Sequence, residues 1–336
     1  MLQAVTRKGF WSADDMQIFS CPNCGAPLYF HNTGCTCGQQ VSFDPDAQSM
    51  QLAGALCANR GDIGCNWVAE TDGLCRACAM TETLPDLREP DNLPLWETSE
   101  RAKRWMLANL ARWGWFTPAD TGARPVFRML SENTAVGQDE VIMGHANGLI
   151  TINVTEASDA VLAERQEQFG ELYRTMLGHM RHEVAHFLQL RLLEQHGFAE
   201  AFRALFGDER EDYGAALQAH YANPKPADDW HITSYATAHP HEDWAETIAH
   251  LLHLVDLLDS AAAADLALPD GPPHGYDAYA EQDTERQIAL AIDLSIAMNH
   301  VNRAMDLPDL YPFVLTQGVR KKLAFAHEWL RRDGRS

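Results

Sequence analysis

The stretch Arg181-His-Glu-Val-Ala-His-Phe187 holds two histidines four residues apart, with a glutamate directly after the first. On a helix, His182 and His186 leave the same face one turn apart, so both imidazoles can bind one zinc ion. Glu183 then lies beside them, where it can take a proton from a zinc-activated water. His179 precedes this pair by one turn and is expected to support it rather than bind zinc. The flanking apolar residues follow the helical pattern of a buried active-site helix: Tyr173, Met176, Leu177, Met180, Val184, Phe187 and Leu188.

A catalytic zinc site needs a third protein ligand, and the segment from Ser234 to His250 offers two glutamates for this role. Pro240 suits the first turn of a helix on which Glu242 and Glu246 lie four residues apart on one face. One glutamate can bind zinc while the other orients a ligand histidine. These residues alone leave the choice between the two glutamates open.

The eight cysteines of the chain all lie in its first quarter and fall into two groups of four. In a reducing compartment, clustered cysteines are more often metal ligands than disulfides. The first group has a C-x-x-C-G turn followed by a second close pair, whereas the second group begins with a wider pair. Free buried cysteine is the alternative for either group. The predicted structural zinc sites of this double zinc ribbon are Cys21, Cys24, Cys35 and Cys37, and Cys57, Cys65, Cys75 and Cys78.

The pattern of the chain changes at Leu84–Pro94, where three prolines stand among charged residues. We therefore predict a small ribbon domain at residues 1–85 and a mostly helical domain at residues 86–336, an α+β protein overall. The clearest strand is Gly148–Val154, in which apolar and polar residues alternate. Helices are predicted at Ser99–Arg112, Ser158–His196 with a break near Gly178, Phe198–Phe206, Tyr213–Tyr221, Glu242–Ser260, Thr284–Met305 and Gly318–Arg331.

The charge of the chain disfavours several classes of partner. Its 26 basic and 47 acidic residues give a net charge of −21, and residues 1–85 hold 4 basic against 8 acidic residues. Such a surface repels phosphate backbones, so a nucleic-acid partner is not expected. The same charge disfavours a DNA-associated protease that is guided by its ribbons. No apolar run reaches the ~18 residues that span a bilayer, and the first 15 residues lack the apolar segment of a secretory signal. We expect a cytoplasmic protein without a membrane partner.

Taken together, these motifs resemble those of the gluzincin metallopeptidases, in which a second helix bears the glutamate ligand. They are most similar to a family of zinc-binding metallopeptidases that carry an N-terminal zinc ribbon. The resemblance implies a zincin-like helical domain with a short sheet, and zinc-dependent hydrolysis of a peptide or protein substrate. The stretches that carry it are Cys21–Gly25, Gly144–Asn153, Arg181–His186, Phe206–Arg210 and His239–Glu246.

The spacing of Tyr235, Glu242 and Glu246 is also similar to that of lethal-factor-type peptidases. This resemblance implies that Glu242 binds zinc, that Glu246 supports the site, and that Tyr235 stabilises the oxyanion, with His239 as the alternative donor. It also implies that Gly148–Val154 is an edge strand for an extended substrate, or otherwise an ordinary internal strand. Thermolysin-like enzymes have Asp in place of the second glutamate and a shorter gap after the second histidine, so Glu246 stays an alternative ligand.

The resulting hypothesis is a peptidase with one catalytic and two structural zinc ions and with Glu183 as the general base. The rival hypothesis is a non-catalytic adaptor that binds proteins through its ribbon and keeps a vestigial zinc site. Glu183 and Tyr235 favour the peptidase, because neither residue is needed merely to hold zinc.

Overall fold

The computed structural model describes residues 18–70, 72–169, 175–266, 268–269 and 271–333. Tyr173 and the N-terminal stretch on which the expected lack of a signal rested lie outside these ranges. Within them, short strands and turns come first and long helices follow, which confirms the predicted α+β class. No helix in these ranges combines the length and the apolar character that crossing a membrane requires.

The N-terminal region is built from two small hairpins and two one-turn helices. Each hairpin is antiparallel, β1 with β2 and β3 with β4, and their aromatic side chains pack on one another around Phe43. Short strands with turns between them suit a region that metal ligands have to cross-link. The elements are β1 (Ile18–Ser20), β2 (Pro27–Tyr29), β3 (Val41–Asp44), β4 (Ser49–Leu52), α1 (Arg60–Ile63) and α2 (Arg76–Ala79).

The rest of the described chain is mostly helical and contains one larger sheet. The strands of this part of the chain are β5 (Thr81–Thr83), β6 (Val126–Leu130), β7 (Asn133–Thr134), β8 (Gly137–Gln138), β9 (Gly144–Ala146) and β10 (Leu149–Asn153). Of these, β7 and β8 pair only with each other, in a separate hairpin. Its α-helices are α3 (Asn92–Ala111), α4 (Asp159–Phe169), α5 (Met176–Leu192), α6 (Phe198–Phe206), α7 (Tyr213–Ala222), α8 (Pro240–Ala263), α9 (Thr284–Ala304) and α10 (Gln317–Asp333). Two 3₁₀ helices lie at Val154–Ala157 and Tyr235–Thr237.

The larger sheet has the strand order β5-β6-β10-β9, so the predicted strand at Gly148–Val154 is internal. β10 runs parallel to β6 on one side and antiparallel to β9 on the other. The edge-strand expectation for this segment is therefore wrong, and β9 is the edge. The turn between β9 and β10 explains the difference, because Asn147 and Gly148 both have positive φ, as a tight two-residue hairpin requires.

Two helices begin at places that differ from the prediction. α3 begins at Asn92, seven residues before Ser99, because Pro94 falls in the first turn, where a helix needs no backbone N–H donor. α5 begins at Met176, and Thr175 caps it by accepting a hydrogen bond from the Gly178 backbone at 3.0 Å. The region predicted as helical is divided just before Gly178, as expected, since α4 ends at Phe169 and α5 begins at Met176. Gly178 itself lies inside the first turn of α5.

The packing of α5 against α8 forms the centre of the helical region. The Trp244 indole on α8 donates to the Ala185 carbonyl on α5 at 2.9 Å, and the Trp105 indole on α3 donates to Asp256 on α8 at 2.7 Å. The surrounding side chains on both helices, such as Leu188 and Ile248, are fully buried. Each such side chain contributes about 1.5–3 kcal/mol to folding. These contacts fix how the two helices face each other.

Candidate metal centres

Three donor atoms converge where α5 faces the beginning of α8. The Nε2 atoms of His182 and His186 are 3.2 Å apart, and Glu242 Oε2 lies 3.0 Å from the first and 3.6 Å from the second. In a tetrahedral zinc site with bonds of roughly 2.0–2.2 Å, neighbouring donors are about 3.3–3.6 Å apart. The three atoms therefore fit three corners of a zinc site, and they leave the fourth corner to water or substrate.

Glu246 approaches the same imidazole from its other side. Its Oε1 lies 2.8 Å from His182 Nδ1, and its Oε2 accepts a hydrogen bond from the Thr233 hydroxyl at 2.8 Å. A carboxylate on the far ring nitrogen is the usual orienting partner of a metal-binding histidine. The two glutamates thus occupy different places, with Glu242 among the converging donors and Glu246 behind His182.

The charges of this cluster are strongly coupled to one another. Burial raises the pKa of Glu242, but His186 and His182 more than offset it and hold that pKa well below its usual range. Burial also acts to lower the pKa of His182, yet Glu242 and Glu246 raise it well above its usual value. The raised pKa of His182 means that its ring holds a proton between the carboxylates. A divalent cation would replace that proton, because carboxylate and neutral imidazole are the forms that bind metal.

Glu183 lies next to the donors on α5 and is 7% exposed. In the described part of the chain its Oε2 has no hydrogen-bond partner, although the atom is buried. Burial raises the pKa of this carboxyl, while His182 and His186 act in the opposite direction. A buried acid with a raised pKa and an available oxygen is suited to accept and return a proton.

Two tyrosines approach the donor cluster. The ring of Tyr235, in the 3₁₀ helix before α8, lies 6.0 Å from the ring of His182. Burial raises the pKa of Tyr235 above its usual value, so its hydroxyl stays a hydrogen-bond donor. Tyr213, the first residue of α7, donates its hydroxyl to Glu242 Oε1 at 2.6 Å. Motif spacing did not point to Tyr213; its only signal was Asp212, a capping residue in front of the predicted helix.

His239 and His179 are held by other partners. The Nδ1 of His239 accepts a hydrogen bond from the His241 backbone, and its Nε2 donates to the Glu211 carbonyl at 3.2 Å. Neither ring nitrogen is therefore available to an oxyanion, which removes His239 as the alternative donor. His179 Nε2 lies 3.0 Å from Glu156 Oε2 and so links α5 to the 3₁₀ helix Val154–Ala157.

Strand β9 brings His145 to the same site. Its ring stacks over that of His186 at a centroid distance of 6.3 Å, and its Nε2 accepts a hydrogen bond from the Gly148 backbone at 3.0 Å. Burial lowers the pKa of His145 to about 4, so the ring is neutral near pH 7. The edge of the sheet and the candidate metal site are thus neighbours.

Each cysteine quartet brings its four sulfur atoms together. In the first, the Sγ atoms of Cys21 and Cys37 are 3.9 Å apart, and those of Cys24 and Cys35 are 3.6 Å apart. In the second, Cys65 Sγ lies 3.6 Å from Cys75 Sγ and 3.8 Å from Cys78 Sγ. Zinc–sulfur bonds of about 2.3 Å place tetrahedral sulfurs roughly 3.8 Å apart, so both sets fit closed zinc sites. All eight cysteines are free of disulfides.

Two family models match the chain. One, described as "Putative zinc-binding metallo-peptidase", matches residues 92–329, and a zinc-ribbon domain model matches residues 18–56. Uncharacterized proteins of Mycobacterium bovis and Mycobacterium tuberculosis are 36% identical to the chain over 329 residues. These alignments cover 93% of this chain and 94% of each relative. No solved structure matches the chain.

Proposed function

Because the chain belongs to the zinc-binding metallo-peptidase family, we propose that it is a zinc-dependent peptidase that hydrolyses peptide bonds in peptide or protein substrates. The observation that carries this proposal is the convergence of His182 Nε2, His186 Nε2 and Glu242 Oε2 at separations of 3.0–3.6 Å. Three donors at tetrahedral spacing with an open fourth corner are typical of catalytic zinc sites.

In this proposal three zinc ions bind per chain. His182, His186 and Glu242 hold the catalytic ion, Glu246 orients His182, and the two cysteine quartets hold structural ions. The catalytic ion, when bound, polarises the scissile carbonyl and lowers the pKa of the attacking water. Because thiolate ligands require reduced cysteines, we place the protein in the cytoplasm.

The side chains around the donors divide the proton transfers between them. Glu183 takes the proton of the attacking water through its available Oε2 and then passes it to the leaving amine. Tyr235, held in its protonated form, donates to the developing oxyanion. The outer edge of β9 offers backbone groups to an extended substrate, and His145 next to His186 directs that edge toward the donors.

The state of Glu183 favours a peptidase over a non-catalytic adaptor. A buried polar atom without a partner costs about 1–3 kcal/mol. A protein that only held zinc would gain nothing from such an acid beside its ligands. A peptidase needs it, because an oxygen that no other group engages can take the proton of the attacking water.

Replacing Glu183 tests the proposal. Glu183→Gln keeps the volume and all three donors, so zinc content should stay unchanged, while the rate of peptide cleavage should fall by about 10²–10⁴-fold. Glu194→Gln, the same exchange at an exposed position just after α5, is the matched control and should keep the full rate. The measurement is cleavage of a diverse peptide library together with elemental analysis.

Two outcomes would contradict the peptidase. In one, the fully metallated, unaltered chain cleaves no member of the library, which favours the adaptor. In the other, Glu183→Gln cleaves peptides as fast as the unaltered chain, which excludes Glu183 as the base.

A further inference from the structure

We propose that Tyr213 is a positioning residue of the metal centre, which holds Glu242 so that a single carboxylate oxygen faces the other donors. The proposal rests on the proposed zinc site of His182, His186 and Glu242. It goes beyond that site by giving a role to a residue of α7, a helix that supplies none of its donors.

The two oxygens of the Glu242 carboxylate have different partners. Oε2 faces the Nε2 atoms of His182 and His186, whereas Oε1 accepts the Tyr213 hydroxyl at 2.6 Å. Glu242 is 1% exposed and Tyr213 is 42% exposed, so the carboxylate is enclosed and reaches a partner of α7 that lies at the surface. A hydrogen bond to a charged oxygen is roughly twice as strong as a neutral one, and it therefore resists rotation of the carboxylate.

Fixing Oε1 in this way has a consequence for coordination. A carboxylate that is free to rotate can bind a metal ion through both oxygens and so occupy an additional position. With Oε1 bound to Tyr213, only Oε2 is presented, and the fourth corner stays available. The hydroxyl thus keeps open the position at which hydrolysis would take place.

The two residues that precede Tyr213 hold its backbone in place. Asp212 caps α7 by accepting the Ala215 backbone N–H at 2.9 Å, and the Glu211 carbonyl accepts a hydrogen bond from His239 at 3.2 Å. The ring of His239 also packs edge-on against the ring of Tyr213 at 5.2 Å. Since His239 is the cap of α8, these contacts join the start of α7 to the helix that carries Glu242.

The simpler interpretation is that the phenol only anchors α7. None of the side chains of this helix is buried, so it depends on contacts at its ends. In that case removal of the hydroxyl would loosen α7 and leave the affinity for zinc unchanged. The two interpretations therefore differ in a measurement that does not require enzymatic activity.

The test compares Tyr213→Phe with Tyr221→Phe, a matched exchange at the other end of α7, where Tyr221 is 64% exposed. Zinc is titrated into the three-donor site against a chelator while both cysteine quartets stay loaded. We expect Tyr213→Phe to weaken zinc binding by about 10–100-fold, as is typical for partners of metal ligands. Tyr221→Phe should stay within about twofold of the unaltered chain, since the Tyr221 hydroxyl interacts with Tyr235 and not with Glu242.

Cobalt in the three-donor site provides a second readout. Its visible absorption is strong in four-coordinate sites and weaker when a fifth donor binds. We expect the band to weaken in Tyr213→Phe, because the released Oε1 becomes a second ligand atom, and to stay unchanged in Tyr221→Phe. Unaltered zinc affinity together with an unaltered cobalt band in Tyr213→Phe would overturn the positioning role. The role would also fall if the three-donor site of the unaltered chain bound neither metal.

Failure of the peptidase proposal would look different. If Tyr213→Phe weakens zinc binding while no peptide is cleaved by the unaltered chain, the positioning role stands and the proposed activity falls. If peptides are cleaved while Tyr213→Phe leaves both the zinc affinity and the cobalt band unaltered, the activity stands and the positioning role falls.

Discussion

The cysteine quartets and the three-donor site on α5 and α8 both have metal-site geometry, but they obtain their donors in different ways. Each quartet collects four sulfurs from one short stretch of chain, Cys21–Cys37 or Cys57–Cys78. The other site takes two donors from α5 and a third, Glu242, from a helix that begins 54 residues after His186. Donors from one stretch can close around a metal without the rest of the fold. Donors from separate helices depend on the packing between those helices.

The exposure of the donors separates the second quartet, but not the first, from the three-donor site. The side chains of Cys65 and Cys75 are fully buried, whereas those of His182 and His186 keep 14% and 12% of their surface accessible. A structural metal gains stability from complete enclosure, while a catalytic one has to be reached by its substrate. Cys24 and Cys37 of the first quartet are exposed, so the number of donors, and not their enclosure, distinguishes both quartets from the three-donor site. Removing the donors one at a time tests this distinction.

The largest effect is expected in the enclosed quartet. Cys75→Ser should lose one zinc ion and lower the free energy of unfolding by at least about 4 kcal/mol, because metal-binding energy in such sites is folding energy. Elemental analysis should give three zinc ions for the unaltered chain and two for the variant, and denaturant titration measures the stability. Cys24→Ser, in the more exposed quartet, should also lose one ion but destabilise less. Three retained ions and unchanged stability in Cys75→Ser would remove the second structural site.

In the open site a lost donor should affect metal affinity far more than folding. Glu242→Gln should weaken zinc binding by more than about 100-fold, whereas Glu246→Gln should weaken it by about 10–100-fold, the range for partners behind a ligand. Competition with a chelator measures both, and thermal unfolding of the metal-free chains provides the control. If Glu246→Gln empties the site while Glu242→Gln stays metallated, the roles of the two glutamates are reversed.

The smallest effect is expected two contacts away from the donor His182. Thr233→Val removes the hydroxyl that donates to Glu246, and a hydrogen bond of about 1 kcal/mol corresponds to roughly fivefold weaker zinc binding. Thr233→Ser keeps the hydroxyl and should restore the original affinity in the same competition assay. The same hydroxyl also accepts the Ala236 backbone N–H at 3.1 Å. A Thr233→Val effect as large as that of Glu246→Gln would mean that this second bond also supports the site.

Much of the site could be predicted from the sequence because its signals are local or have a regular spacing. The family, the zinc ribbon and the α+β class are confirmed. His182 and His186 share a helix face by their spacing alone, and the turn at Cys21–Gly25 places two thiolates together. The zinc-ligand roles and the domain division after residue 85 stay predictions.

Two features were not predicted: the contact of Tyr213 with Glu242, and β9 as the edge of the sheet. Tyr213 meets Glu242 only because the loop before α7 is bonded to the cap of α8, and no spacing rule encodes that contact. Asn147-Gly148 is a strong hairpin signal, and reading it as one would have identified β9 as the edge of the sheet.

Strand β5, directly after the second quartet, limits which parts of this protein a gene fusion can exchange. β5 covers one edge of β6, with the Phe127 backbone N–H bonded to the Met80 carbonyl at 2.7 Å, and β9 beside His186 forms the opposite edge of the same sheet. A gene fusion that replaced residues 18–83 with a foreign ribbon would remove β5 and leave one edge of β6 uncovered, and an open edge invites pairing with other chains. We therefore expect ribbon and helical region to be inherited together, so that a ribbon exchange succeeds only when the donor also brings a strand that fits β6.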